Sequence, residues 1–192
     1  MEDTKIRAIL EALLLAAEEP ISLEQFQSVL TDVDDDKIHR ALRNLQLEYD
    51  GDQRGIHLVR IAGGYHLRTN PELGDQIRAF FESQPVRLSR PAMETLAIVA
   101  YRQPVTRAEV EEVRGVNCSG VLSTLRDHTL ITIIGQLDDI GKPHLYGTTD
   151  RFLQFFGLDD LSDLPTLEES ELEALVDMHD DMQDQALDEL DD

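Results

Sequence analysis

A single cysteine, Cys118, is all the chain has, so no disulfide can close within it. With no histidine at a telling spacing, that thiol has neither a metal-binding nor a nucleophilic signature, and it is expected to be inert at the start of a helix. The six histidines are scattered, and neither His-x-x-x-His nor Cys-x-x-Cys occurs. No metal or other cofactor is therefore expected. No stretch approaches the roughly 18 consecutive apolar residues of a membrane span. The opening Met1-Glu2-Asp3-Thr4 has neither the basic region nor the apolar run of a secretory signal. The protein is expected to be soluble and cytoplasmic, with no membrane contact. A phosphate loop, a nucleophile with a fitting base and a carboxylate pair in a distinctive setting are also missing, so catalysis is not expected.

Positive charge is scarce. The chain has 39 acidic and 17 basic residues, for a net charge of −22. From Met1 to Gln84 there are 16 acidic and 9 basic residues, from Pro85 to Arg151 8 of each, and from Phe152 onward 15 acidic and none basic. Past Pro165 the chain reads as a solvated, disordered acidic tail. A short amphipathic helix through Leu172, Val176 and His179 is the alternative. Either form repels phosphates.

What the chain does contain is a repeat at a spacing of 84 positions. Pro20-Ile21-Ser22-Leu23-Glu24-Gln25 follows one apolar helix, and Pro104-Val105-Thr106-Arg107-Ala108-Glu109 follows another. In each copy a hydroxyl stands three residues before an amide or acid. That spacing predicts a capping box, in which the hydroxyl accepts from an orphan helical N–H while Gln25 or Glu109 reaches back to the cap's own N–H.

Each copy continues with a third helix and two strands. Ile38, Leu42 and Leu45 recur at helical spacing, and strands over 56–62 and 65–69 flank Gly63-Gly64, a pair suited to a tight hairpin. In the second copy Val121, Leu122 and Leu125 mark the third helix, ahead of strands over 130–134 and 144–148 joined by a longer glycine-bearing loop. Three helices closed by a hairpin is the winged-helix plan. The expected fold is mainly α with small β wings (α+β), two tandem winged helices spanning 1–70 and 88–158. A connecting helix and an extended joint fill 71–87, and the acidic tail fills 159–192. Small domains bury a modest share of their surface, so docking or dimerisation is expected.

Winged helices read DNA in some proteins and dock proteins in others, and the fold alone does not choose. A DNA reader needs cations on the third helix and wing. The first domain offers Lys37, Arg40 and Arg43, but Asp34, Asp35, Asp36 and Glu48 surround them. The third helix of the second has Asn117, Ser119, Ser123, Thr124 and Arg126, which is polar and hardly basic. Arg102, Arg114 and Tyr146 are not obviously packing residues, and Arg and Tyr are common anchors in protein interfaces.

The second domain carries long ordered motifs. Leu88-Ser89 precedes Glu94-Thr-Leu-Ala-Ile-Val-Ala-Tyr101-Arg-Gln-Pro-Val-Thr106, then Arg114-Gly115-Val116, Gly141-Lys-Pro-His-Leu-Tyr146-Gly-Thr-Thr149, Phe152-Leu153 and Phe156-Gly157-Leu158. Together they resemble the segregation and condensation protein B family, winged-helix accessory subunits of the bacterial Smc condensin, over about the first 167 residues. The resemblance implies a non-catalytic, nucleoid-associated protein acting in chromosome condensation and segregation during cell division. It implies a homodimer formed through the first domain, with Leu14, Phe26 and Leu30 as candidate interface residues. It further implies binding of the kleisin ScpA, through it the Smc ATPase, and DNA only indirectly or weakly. The kleisin is expected across the second domain and connecting helix, at Tyr101, Arg102, Arg114 and Tyr146. The chain departs from the family's usual pattern at Thr129, Gln136 and Lys142, which weakens the case for a basic, DNA-touching wing. A tandem winged-helix transcription regulator is the alternative.

Overall fold

Both capping boxes close as the spacing predicts. The first helix, α1 (Asp3–Ala16), is followed by α2 (Leu23–Val29), where Ser22 Oγ accepts from the Gln25 N–H at 3.3 Å and the Ser22 N–H donates to Gln25 Oε1 at 2.7 Å. The third helix, α3 (Asp35–Tyr49), buries Ile38, Leu42, Leu45 and Tyr49 on one stripe and is capped by Asp34, whose carboxylate accepts from the Asp36 N–H. The Asp run thus supplies the negative charge that a helix N-terminus favours. Strands β1 (Ile56–Ile61) and β2 (Gly64–Thr69) complete the first wing as an antiparallel pair.

The computed structural model describes residues 1–51, 54–81 and 88–166. The chain divides into two compact units, Met1–Val86 with Gly157–Asp160, and Arg87–Phe156 with Leu161–Asp192. Each described fold is a winged helix. The expected joint at 84–87 and the acidic tail from 167 onward, with its alternative helix, lie outside the described residues.

The first hairpin turns one residue earlier than expected. Ala62 and Gly63 are the central turn residues, with φ of 49° and 71°, and Ile61 pairs with Gly64. Two positive φ values suit a two-residue hairpin loop. Gly64 is required for a different reason, because a Cβ there would stand 3.0 Å from the Ile21 carbonyl carbon and oxygen and from Pro20 Cβ. That approach lets Ile21 and Tyr65 exchange two backbone hydrogen bonds of 2.9 Å. The segment Gly157–Asp160 also belongs to this unit and not to the second winged helix or the tail. The Ala62 and Gly63 N–H groups donate to the Leu158 and Asp159 carbonyls at 2.9 Å, and Arg60 Nε lies 2.8 Å from Asp159 Oδ2. After the wing, Asn70 caps a short 3-10 turn (Pro71–Leu73) that leads into α4 (Gly74–Phe81), none of whose residues is buried.

The second unit repeats the plan. It contains α5 (Arg90–Arg102), β3 (Val105–Thr106), α6 (Arg107–Arg114), α7 (Ser119–Asp127), β4 (Ile131–Gln136), β5 (His144–Thr148) and α8 (Asp150–Phe156). Its sheet has the order β3-β5-β4. Leu96, Ile98 and Val99 are buried as expected, with Leu122, Leu125 and Phe152 closing the core. Gly115 ends α6 at φ 68°, the left-handed conformation that glycine adopts without strain. Gly147 is there for space. A Cβ would meet Gln103 Oε1 at 2.8 Å and Ile134 Cδ1 at 2.9 Å.

The repeat extends to the wings. Val105 pairs with Tyr146 as Ile21 pairs with Tyr65, so the β-branched residue after each proline faces a wing tyrosine.

In the second box the Thr106 N–H and Oγ1 both donate to Glu109 Oε2 at 2.7 Å. The backbone bond, then the side-chain bond, holds the Glu109 carboxyl below its usual 4.5. A lowered folded-state pKa gives stability that is present above the unfolded value and lost as pH falls through the folded one. Glu109→Gln is therefore expected to flatten the decline in stability below about pH 4.5, relative to the parent chain, in urea melts across pH 3–7. Parallel curves for the two proteins would show that the ionised form contributes nothing.

Candidate functional site

The four residues singled out for partner binding do not lie together. Tyr101 and Arg102 sit on the last turn of α5, where Arg102 is exposed and Tyr101 half-buried, its hydroxyl donating to the Pro165 carbonyl at 2.8 Å. Just beyond, the Gln103 side chain clasps β5. Its Oε1 accepts from the Thr148 N–H at 2.7 Å, and its Nε2 donates to Thr148 Oγ1 at 3.0 Å. Tyr146 is carried on the same strand, buried at the pairing with Val105. Its counterpart Tyr65 in the first unit shows that a tyrosine here serves the fold of the wing as well as any surface.

Arg114 is at the other end of α5 and is not a surface anchor. Its side chain is 4 % exposed and lies 3.0 Å from the Glu94 carboxylate, itself 11 % exposed. One guanidinium nitrogen donates to the Pro91 carbonyl at 2.8 Å and to Thr95 Oγ1 at 2.9 Å. The buried Thr95 Oγ1 in turn stands 4.0 Å from the Cys118 sulfur. Arg114 therefore locks α6 onto α5. Burial raises the Cys118 thiol above its ordinary value, which keeps it protonated and unreactive, as expected.

Leu14, Phe26 and Leu30 are corrected in the same way. All three belong to the core of the first unit, with exposures of 2 % or less. The period-3.6 stripe on which they fall packs α1 and α2 against α3. The apolar surface that this unit does offer is elsewhere. Phe80 and Phe81 on α4 are 80 % and 68 % exposed, their rings edge to face with centroids 5.0 Å apart.

The surface that sequence reasoning missed is the second wing. Between Ile133 and Gly135 the register shifts, so Ile134 is the bulged residue of β4. A bulge turns its side chain away from the regular alternation, and Ile134 is exposed. Leu137 and Ile140 follow in the loop, and Ile140 is 99 % exposed. An apolar residue held fully in water at a hairpin tip marks a contact surface when others stand beside it. The signal lies in the spacing of Ile134, Leu137 and Ile140, which neither the loop glycine nor the departures at Gln136 and Lys142 disclose. Beside this wing lies a cleft of about 370 Å³ lined by Arg107, Ala108, Gly141, Lys142, Pro143, His144 and Tyr146. It combines cations with an aromatic ring.

On and beside α3, charges are engaged locally at Arg40 and Glu48. Arg40 Nε donates to the Asp36 carbonyl at 3.3 Å, and Arg7 and Arg54 both pair with Glu48. Among the described residues, no cluster of His, Cys, Asp or Glu could hold a metal ion, and no helix is long and apolar enough to cross a membrane.

The sequence pattern described as segregation and condensation complex subunit ScpB matches residues 8–167. Segregation and condensation protein B of Syntrophotalea carbinolica is 48% identical over 169 residues, covering 88% of this chain and 85% of that protein. The same-named protein of Moorella thermoacetica is 44% identical, covering 85% of this chain and 84% of its own length. Among solved structures, ScpB from Mycobacterium tuberculosis is 34% identical, covers 82% of this chain and 98% of that one, and superposes with a TM-score of 0.39. A dimer of an ScpB N-terminal domain complexed with ScpA peptide is 32% identical, covers 40% of this chain and 95% of that one, and has a TM-score of 0.37.

Proposed function

The chain belongs to the segregation and condensation protein B family, and from that premise we propose that it is a non-catalytic condensin subunit that dimerises and binds the kleisin ScpA, and through it serves the Smc ATPase during chromosome segregation. Its place of work on this reading is the cytoplasm, at the nucleoid. The kleisin meets the second unit at Tyr101 and Arg102, at the cleft beside Tyr146, and at the wing.

The observation that carries the reading is the chemistry of that wing. A phosphate-binding wing presents Lys and Arg to the duplex. This one presents Ile134, Leu137, Asp138, Asp139 and Ile140, with Lys142 as its cation. Water is the wrong partner for the apolar residues and DNA the wrong one for the acids, whereas an amphipathic protein segment satisfies both. A flexible segment that folds as it binds needs a rigid surface to fold on, and a three-stranded wing pinned through Gln103 supplies one.

Ile140 gives the cleanest test, since a side chain exposed to this degree supports no packing in the free protein. Burying one such residue is worth roughly 1.5–3 kcal/mol. Ile140→Asp is therefore expected to weaken binding to the kleisin encoded in the same genome by about tenfold or more in calorimetry, with the thermal melt unchanged. Equal affinity in the folded variant would remove the wing from the interface. Light scattering of the chain alone and with that kleisin tests the assembly itself. A monomer that ignores the kleisin would overturn the proposal.

A further inference from the structure

We propose that β4 accepts an extended partner segment as a further strand along its open edge, bonded at Ile131 and Ile133. The sheet of the second unit runs β3-β5-β4, so β4 is paired on one side alone. Among the described residues, the backbone groups of 131–133 have no hydrogen-bond partner outside that sheet. An edge of this kind is a template for another chain.

Hydrogen bonds at the end of the ladder fix which groups face outward. The Thr149 N–H donates to the Leu130 carbonyl at 3.3 Å, whereas the Thr148 N–H turns away from β4 to Gln103 Oε1 at 2.7 Å. Opposed residues in an antiparallel ladder alternate between bonded and non-bonded pairs. Thr132 opposite Gly147 is therefore a bonded pair, while Ile131 opposite Thr148 and Ile133 opposite Tyr146 point their N–H and C=O groups out of the sheet.

The bulge at Ile134 sets the length and the chemistry of what fits. It breaks the regular edge after Ile133, so the added strand is short, and a bulge at an edge also discourages long pairing with further copies of the chain. Beyond it the exposed Ile134 offers an apolar contact, and the exposed Asp138 and Asp139 offer negative charge. The matching partner is an extended segment with apolar residues at alternate positions and a Lys or Arg at the end that reaches those acids. Backbone bonds supply the adhesion, and side chains select. The proposal rests on the kleisin reading above and gives the bound segment its conformation, a strand added to the wing.

The test is amide hydrogen exchange by NMR on the full chain, alone and saturated with the kleisin encoded in the same genome. In the free chain the Ile131 and Ile133 amides should exchange about tenfold or more faster than that of Thr132, which is tied to Gly147. Kleisin should slow both by about tenfold or more, with Thr132 slow throughout. Binding that leaves both amides fast would overturn the added strand and leave the kleisin reading standing, whereas a kleisin that does not bind would overturn both. Slow amides in the free chain that speed up on dilution would give the edge to a second copy and overturn the proposal. Two variants read the same bond as affinity. Ile133→Ala and Ile133→Pro both truncate the isoleucine, but the proline also removes an outward N–H that the ladder does not use. Ile133→Pro is expected to bind kleisin about fivefold more weakly than Ile133→Ala in calorimetry, and equal affinities in the two folded proteins would overturn the bond at that edge.

Discussion

Arg114→Ala is expected to lower the stability of the second unit by about 3 kcal/mol, because removing one partner of a buried ion pair leaves the other charge without compensation. Three attachments disappear at once: the ion pair to Glu94 and the hydrogen bonds to the Pro91 carbonyl and Thr95. Glu94 keeps Arg90, whose Nε lies 3.0 Å away, and this places the loss toward the lower part of the usual range. For a unit of this size the melting temperature should fall by roughly 15 °C. The chemistry predicts non-additivity as well. In Arg114→Ala combined with Glu94→Ala the orphaned carboxylate is gone, so the double variant should be more stable than the summed single losses by about 1–3 kcal/mol. Urea melts of the four proteins check both statements. An unchanged melt in Arg114→Ala, with weakened kleisin binding, would return Arg114 to the surface role first expected of it.

Phe26→Ala should be as damaging to the first unit. The ring is fully buried, packed with Leu10, Leu14, Ile38 and Leu42 in one core and tilted against Tyr65 at 6.4 Å between centroids. Truncating a phenylalanine in such a place costs roughly 3–5 kcal/mol, the transfer term plus the cavity left behind. Small domains have about 0.05–0.15 kcal/mol per residue in hand, so this change consumes much of what the unit has. Circular dichroism should show an early transition for the first unit. Leu15→Ala, at an exposed position one residue from Leu14, should stay within about 0.5 kcal/mol of the parent. A Phe26→Ala protein that melts normally but no longer self-associates would mean that the ring serves an interface after all.

These two residues show where sequence reading works and where it stops. The capping boxes at Ser22 and Thr106, the stripe Ile38-Leu42-Leu45, the left-handed Gly115 and the wing strands were all legible, because each is decided by neighbours a few positions away. Phe26, Leu14 and Leu30 were legible as apolar helix residues, but period alone gives a stripe without saying what covers it. Arg114 was misread because its partner Glu94 is twenty positions earlier on another helix, and only packing joins them. The turn at Ala62-Gly63 was displaced by one residue because either glycine could have supplied the positive φ. What decided between them was the approach of Pro20 and Ile21 to Gly64, a contact between distant parts of the chain. Tyr101 and Arg102 were placed at the end of α5 by the motif they sit in, whereas the exposed Ile134 depends on a bulge that alternation cannot foresee.

The seclusion of Cys118 has a practical side. The residue is 1 % exposed and its sulfur donates to the Val116 carbonyl at 3.4 Å, and reagents that attack thiolates at neutral pH find neither access nor ionisation. A cysteine introduced at the wing tip or on α4 can therefore carry a fluorophore or spin label as the sole reactive thiol, with the native residue left in place.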